Sequence, residues 1–100
     1  MRIAGFEWDQ ANWPKCGKHG VTQADIETVL SGQPDIYPDP AHSGTEQRFL
    51  AIGQTNTGRH LLIAFTVRHH RIRPISARFM HAKEVRHYEH RQENPAPDDR

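Results

Sequence analysis

Residues 48–79, with the sequence RFLAIGQTNTGRHLLIAFTVRHHRIRPISARF, contain three runs that are rich in apolar and β-branched side chains. Short polar segments of the kind that form turns separate these runs. Strands joined by such short connections pair most simply with their sequence neighbours as antiparallel strands. The sequence therefore predicts an antiparallel meander, with strands at 48–53, 59–67 and 72–78 and turns at 55–58 and 69–70.

The second of these strands predicts how the two faces of the sheet differ. Because alternate side chains of a strand point to opposite faces, Leu61, Ile63 and Phe65 share one face. Thr66 and Arg68 lie on the other face by the same alternation. We therefore expect one face to form the core and the other to be polar at its ends.

Pro74 interrupts the third strand. Proline has no N–H to donate, so it is restricted to an edge strand or to a β-bulge. Strict alternation places Arg73 on the core face. A bulge would move Arg73 to the opposite face, to which Ser76 and Arg78 also point. The sequence leaves both alternatives open.

The segments that flank the meander predict helices. Asp9 and Asn12 offer capping oxygens to a short helix in which Pro14 is tolerated at the first turn. Thr22 and Asp25 resemble a capping box at the start of a second helix. The predicted elements outside the meander are a strand at 3–8, helices at 13–19, 22–32 and 82–90, and an extended loop at 33–45. The fold class is α+β, with a single domain at 1–92 and a flexible tail at 93–100.

Length and composition limit the possible classes of protein. One hundred residues, 35% of them hydrophobic and 25% charged, suffice for one small domain and exclude a large multidomain enzyme. No apolar run approaches the roughly 20 residues of a membrane span, and residues 1–8 lack the apolar centre of a signal peptide. We therefore expect a cytoplasmic protein without a membrane partner. The single cysteine, Cys16, is expected to be a buried or half-buried helix residue.

The charged side chains are unevenly distributed along the chain. Residues 1–58 carry four basic and seven acidic side chains, whereas residues 59–100 carry nine basic and five acidic ones and six of the eight histidines. A basic surface of this kind is typical of proteins that bind polyanions. The same counts are equally compatible with a solvated basic face that an acidic face balances.

Four ordered blocks make the chain resemble the BrnT family of toxins from type II toxin–antitoxin modules. The resemblance covers about residues 6–90, and its blocks are FEWD at 6–9, KHGV at 18–21, RFLAIG at 48–53 and IRPISAR at 72–78, followed by Lys83-Glu84 and Tyr88. It implies a RelE-like fold, in which two short N-terminal helices and a C-terminal helix accompany a small antiparallel sheet. It also implies metal-independent RNA cleavage that inhibits translation, without a cofactor. The implied partners are RNA and a BrnA-like antitoxin, through which operator DNA would be bound indirectly.

Cleavage of RNA without a metal uses the ribose 2′-OH as the nucleophile. The site must help to deprotonate that hydroxyl, stabilise the charge of the transition state and protonate the leaving oxygen. Arginine suits the second task because its planar guanidinium binds two phosphate oxygens at once. The candidate catalytic residues are Lys18, His19, Arg48, Arg73 and Arg78, and the candidate substrate-binding residues are Arg68, Ser76 and Lys83.

Each of these assignments has a simpler structural alternative. A lone arginine can be an exposed charge at a strand end, and Lys18 and His19 can simply cap a helix C-terminus. Glu46 can orient an arginine, act as the general base or be merely solvated. The histidines do not have the spacing of a metal site, so no metal is predicted. A different class of function remains open: a catalytically inactive binding module that acts as an antitoxin partner and transcriptional co-repressor.

Overall fold

Residues 4–93, which the computed structural model describes, form a four-stranded antiparallel sheet in the order β1-β2-β3-β4, accompanied by three α-helices. The predicted α+β fold with a small antiparallel sheet is confirmed. The elements are α1 (Trp13–Cys16), α2 (Gln23–Ser31), β1 (Asp35–Pro38), a 3-10 helix (Pro40–His42), β2 (Phe49–Gln54), β3 (His60–Arg68), β4 (Arg71–Phe79) and α3 (Ala82–Glu93).

The three strands of the predicted meander are β2, β3 and β4, and each of their bounds differs from the predicted one by a single residue. The connection between β3 and β4 consists of His69 and His70, whose φ angles of 53° and 63° are both left-handed. Two consecutive left-handed residues match the right-handed twist of the strands that they join. The tight turn predicted at these histidines is confirmed.

Two segments differ from the prediction. Asp35–Pro38, which was expected to be part of an extended loop, forms β1 and pairs with β2 at the edge of the sheet. Pro38 is compatible with a strand end that has an unpaired outer side. In the described part of the predicted strand at 3–8, Phe6 makes an isolated parallel bridge to Ile72 and the segment forms no regular strand. Gly5, with φ of +140°, interrupts the extended backbone there.

The helices differ from prediction mainly in length. The helix expected at 13–19 is a single turn, α1, because Gly17 caps it directly after Cys16. Asn12 precedes this turn but its side chain makes no cap hydrogen bond. The capping box of α2 is confirmed, since the Asp25 N–H donates to Thr22 Oγ1 at 3.0 Å. The last helix, expected at 82–90, extends to Glu93, and residues 94–100 of the expected tail lie outside the described residues.

The core lies between the sheet and the two N-terminal helices. Helix α2 packs on β2 and β3, and α1 packs on β4. Gly53 of β2 permits a close approach of α2, because a Cβ at this position would lie 2.8 Å from Val29 Cγ1. Burial raises the pKa of the Cys16 thiol to about 11, which fits the expected structural role of this cysteine. The buried apolar residues are Cys16, Val21, Ile26, Val29, Leu30, Ala51, Leu61, Ile63, Phe65, Ile72 and Ala77.

A β-bulge in the edge strand β4 decides the direction of Arg73. Phe65 is opposite Pro74 and Ala64 is opposite Ser76, so Ile75 is an additional residue in β4. Both alternatives left open for Pro74 therefore hold, because the strand is an edge strand and also contains a bulge. The bulge shifts the alternation by one residue and moves Arg73 off the core face, to the face that also carries Ser76.

Candidate functional site

The face of the sheet opposite α2 is called the open face here, and it is organised in rows across the strands. Cross-strand partners lie side by side, so each row contains one residue from each strand. One row consists of Asp35, Ile52, Leu62 and Arg78, and the next consists of Tyr37, Leu50, Ala64 and Ser76. Thr66 follows on β3, with Arg48 directly before β2, and Glu46 and Arg68 lie beyond them.

Helix α3 crosses one end of the open face. Near its start, Glu84 accepts two hydrogen bonds from the Arg78 guanidinium, at 2.7 and 2.8 Å. Further along the helix, the Tyr88 hydroxyl donates to the Asp35 carboxylate on the opposite edge strand. These two contacts hold α3 at the row that contains Arg78 and Asp35, and they leave the rows beyond it accessible.

A basic cavity of about 170 Å³ lies at the other end of the open face. Four cationic side chains line it together with the carboxylate of Glu46, and Thr66 and Ile75 contribute from the strands. Its position next to α1 follows from Asn12, whose buried amide nitrogen donates to the carbonyl oxygens of Glu7 and Pro74 and so fixes the start of α1 against β4. The four cationic residues are Lys15, Arg48, Arg68 and Arg73.

Two of these cations are paired with carboxylates of the protein itself. Arg68 donates to both oxygens of Glu46, at 2.5 and 2.8 Å. Arg73, whose side chain is 11% exposed, contacts Glu7 at 3.0 Å and Asp9 at 2.9 Å. Hydrogen bonds from these arginines lower the pKa values of the Asp9 and Glu46 carboxyl groups. Both guanidinium groups are therefore held in place, and part of their charge is compensated.

The other two cations of the basic cavity are differently placed. Within residues 4–93, no carboxylate oxygen lies within 4.0 Å of the side-chain nitrogens of Lys15 or Arg48. Arg48 is half-buried and Lys15 is exposed. These two side chains are therefore the cations in the cavity that are available to an anion without breaking an existing ion pair.

An apolar cavity of about 140 Å³ lies between the basic cavity and α3. The half-buried side chains of Leu50, Leu62 and Ala64 form its floor. Polar groups from the α1–α2 connection and from β4 lie at its rim: His19, Ser76 and Arg78. Because Leu50 is two residues after Arg48 and Ala64 is two residues before Thr66, the two cavities adjoin along the same face.

The structure brings together six of the eight candidate site residues in two neighbouring groups. Lys18 and Lys83 are exposed and line neither of the two cavities. Sequence reasoning missed Lys15 as a candidate. The only sequence signal for Lys15 is its position three residues after Asn12. This spacing places Lys15 and Asn12 on the same side of a helical turn. The basic cavity contains Arg48, Arg68 and Arg73, and the apolar cavity contains His19, Ser76 and Arg78.

Residues 4–93 show neither a metal-binding cluster nor a membrane-spanning helix. No group of three or more His, Cys, Asp or Glu side chains in this part of the chain is placed to hold a metal ion. None of its helices has the length and apolar character needed to cross a membrane.

Comparison with known protein families identifies a family that this chain matches. The model of a family described as the ribonuclease toxin BrnT of type II toxin–antitoxin systems matches residues 8–84. This range includes every residue that lines the basic and the apolar cavity. A search of curated proteins found no match.

Proposed function

The chain belongs to the BrnT family of ribonuclease toxins of type II toxin–antitoxin systems, and we propose that it is an active, metal-independent endoribonuclease that inhibits translation by cleaving RNA in the cytoplasm. Family membership implies an RNA substrate and an antitoxin protein. The observation that carries the proposal is the basic cavity, in which Lys15 and Arg48 lack carboxylate partners among the described residues. A cavity of that composition suits a phosphodiester.

In the proposed site, the scissile phosphate lies between Lys15 and Arg48. The charge that develops on the phosphate oxygens in the transition state then meets a guanidinium fork and an ammonium group in one partly enclosed cavity. Arg68 and Arg73 present guanidinium N–H groups from fixed positions, since Glu46, Glu7 and Asp9 hold them and compensate their charge. Of the arginines predicted to be catalytic, Arg48 is therefore assigned to direct phosphate contact.

Glu46 and His19 are the proposed general base and general acid. Glu46 lies with Arg68 beyond the phosphate position, whereas His19 lies at the apolar cavity on the other side of it. Attack by the 2′-OH requires a proton acceptor at the nucleophile and a proton donor at the leaving 5′ oxygen, on opposite sides of phosphorus. The hydrogen bond from Arg68 lowers the pKa of the Glu46 carboxyl group, so Arg68 favours the ionised form of this group and at the same time reduces its basicity.

The proposed antitoxin is BrnA-like and reaches operator DNA through its own DNA-binding half. The open face beyond α3 offers uncompensated positive charge at Lys15 and Arg48. An antitoxin that presents carboxylates there would block the phosphate site and stabilise the toxin by binding its folded state. We also propose that residues 1–92 form a single toxin domain.

The test is cleavage of a short RNA in the presence of a chelator. We expect cleavage to persist, to leave a 2′,3′-cyclic phosphate or a 3′ phosphate with a 5′ hydroxyl, and to stop when hydrogen replaces the scissile 2′-OH. Lys15→Ala and Arg48→Ala should each lower kcat/KM roughly a hundredfold. Arg86→Ala, which removes an exposed arginine of α3, is the matched control and should cleave like wild type. A folded wild-type protein without any turnover would favour the inactive binding module instead.

A further inference from the structure

The floor of the apolar cavity, formed by Leu50, Leu62 and Ala64, has no role in the proposed phosphate chemistry. We propose that it is a nucleobase subsite, which takes one base of the RNA whose scissile phosphate lies in the basic cavity. The inference rests on the proposed function, because it requires RNA on the open face. It adds a binding site for a neutral, flat, aromatic ring next to the site for an anion.

The floor of the cavity is apolar although it lies on the face opposite the core. Leu50 and Ala64 are half-buried in the row next to the one that α3 crosses, and Leu62 is half-buried in the row of α3 itself. No residue of α3 lines the cavity. Contiguous apolar side chains that are left accessible beside a polar rim are typical of ligand-binding surfaces. The floor therefore offers an apolar ligand group a place that α3 leaves open.

The spacing of the residues that line the two cavities suits one nucleotide. Residues two positions apart on a strand are about 7 Å apart, and Ala64 of the apolar cavity and Thr66 of the basic cavity are related in this way on β3. A nucleobase is joined to its phosphate through one ribose. A phosphate held at Arg48 thus brings the base of an adjoining nucleotide over the apolar floor.

The surroundings of the floor match the chemistry of a base. Tyr37 is the cross-strand partner of Leu50 on the open face and is 38% exposed, so an aromatic ring is available at one side of the floor. Ser76 lies at the opposite side and can hydrogen-bond to the polar edge of a base, whereas His19 at the same rim is the proposed general acid. Single-stranded RNA is commonly bound in this manner, with base faces on apolar or aromatic side chains and base edges on polar groups.

The experiment measures binding of a fluorescent tetranucleotide in which hydrogen replaces the 2′-OH of every nucleotide that precedes a phosphodiester, so that none of its phosphodiesters can be cleaved. Two further oligonucleotides lack the base on the 5′ or on the 3′ side of the central phosphate. We expect one of the two abasic oligonucleotides to bind roughly tenfold more weakly than the intact one. Leu62→Ser and Tyr37→Ala should weaken binding of the intact oligonucleotide but leave binding of that abasic one almost unchanged.

Ile36→Ser is the matched control, since Ile36 is 49% exposed on β1 next to Tyr37 but points away from the open face. Equal binding of the intact and both abasic oligonucleotides would overturn the subsite, and so would equal losses in the Tyr37→Ala and Ile36→Ser variants. The exposed Tyr37 position keeps the test valid if Leu62→Ser unfolds. Because the oligonucleotides cannot be cleaved, the result is independent of turnover, which the all-ribose RNA measures separately. Binding that is competed by an antitoxin but is insensitive to the base would assign the floor to the protein partner and refute the proposal.

Discussion

Arg73→Ala and Arg48→Ala are expected to impair different properties of the protein, although both residues line the basic cavity. Arg73 joins β4 to the N-terminal segment through three hydrogen bonds, at 3.0 Å to Glu7 and at 2.9 and 3.2 Å to Asp9. Its side chain is only 11% exposed. Arg48 has no such contact with a carboxylate of the described residues. We therefore expect Arg73 to act mainly in stability and Arg48 mainly in catalysis.

The magnitude follows from the burial of the partners. Removing one member of a fully buried ion pair costs about 3–5 kcal/mol, because the remaining charge is left without water. Here Glu7 and Asp9 are 30% and 52% exposed, so water can solvate them again once the arginine is gone. The loss for Arg73→Ala is then about 2 kcal/mol, the value of charge-assisted hydrogen bonds after a reduction for solvent screening. In a domain of this size, that corresponds to a fall in Tm of roughly 10 °C.

The assay is thermal unfolding followed by circular dichroism, together with RNA cleavage at a temperature where each variant is folded. Arg71→Ala, an exposed arginine of the same strand, is the matched control and should change stability by less than about 0.5 kcal/mol. Arg48→Ala should likewise keep the wild-type Tm but lose cleavage. In the double variant Asp9→Ala with Arg73→Ala, the fall in Tm should be smaller than the sum of the single losses. A wild-type Tm for Arg73→Ala would refute the reasoning, and so would an equal fall in Tm for Arg48→Ala.

Two further predictions concern stability. Hydrogen bonds from Arg78 lower the pKa of Glu84 from 4.5 to about 2, so this pair stabilises the fold above pH 4.5 and loses its effect as the pH falls towards 2. Glu84→Gln should consequently lower Tm at neutral pH, with a difference from wild type that disappears between pH 4.5 and 2; a constant difference over that range would contradict the assignment. Gly53→Ala should cost about 1–3 kcal/mol in urea unfolding, since the new Cβ would lie 2.8 Å from Val29 Cγ1. Gly44→Ala, with open space at the new Cβ, should be neutral, and equal effects of both alanines would show that α2 can move away from β2.

The parts of the fold that the sequence predicted well are those that local patterns determine. The alternation of apolar residues in 59–67 predicted β3, and the left-handed pair His69-His70 was identifiable as a tight turn. The capping box at Thr22 fixed the start of α2. In each case the hydrogen bonds or the periodicity that specify the element lie within a few residues of one another.

The parts that were predicted poorly depend on distant residues. β1 has only four residues and ends in Pro38, so its own sequence does not indicate a strand, and its backbone becomes regular through pairing with β2. The ion pair of Arg73 with Asp9 joins residues that are 64 positions apart. Neither the pair nor the place of Lys15 beside Arg48 can be read from local spacing. The sequence could identify arginines suited to phosphate, but it could not distinguish those already paired from those left available.

This difference between paired and available cations gives the site a physical logic. Long basic side chains lose conformational entropy when a ligand immobilises them, and that cost reduces affinity. In the basic cavity, Glu46 already immobilises Arg68, and Glu7 and Asp9 already immobilise Arg73, before any RNA is present. Only Lys15 and Arg48 then have to be ordered by the phosphate. The acidic partners thus have two effects that oppose each other: they reduce the net positive charge of the cavity, and they preorganise the remaining charge around the place where the transition state forms. Because a fixed dipole or charge needs no reorganisation during the reaction, the second effect favours catalysis over tight binding of RNA, as a ribonuclease that must release its products requires.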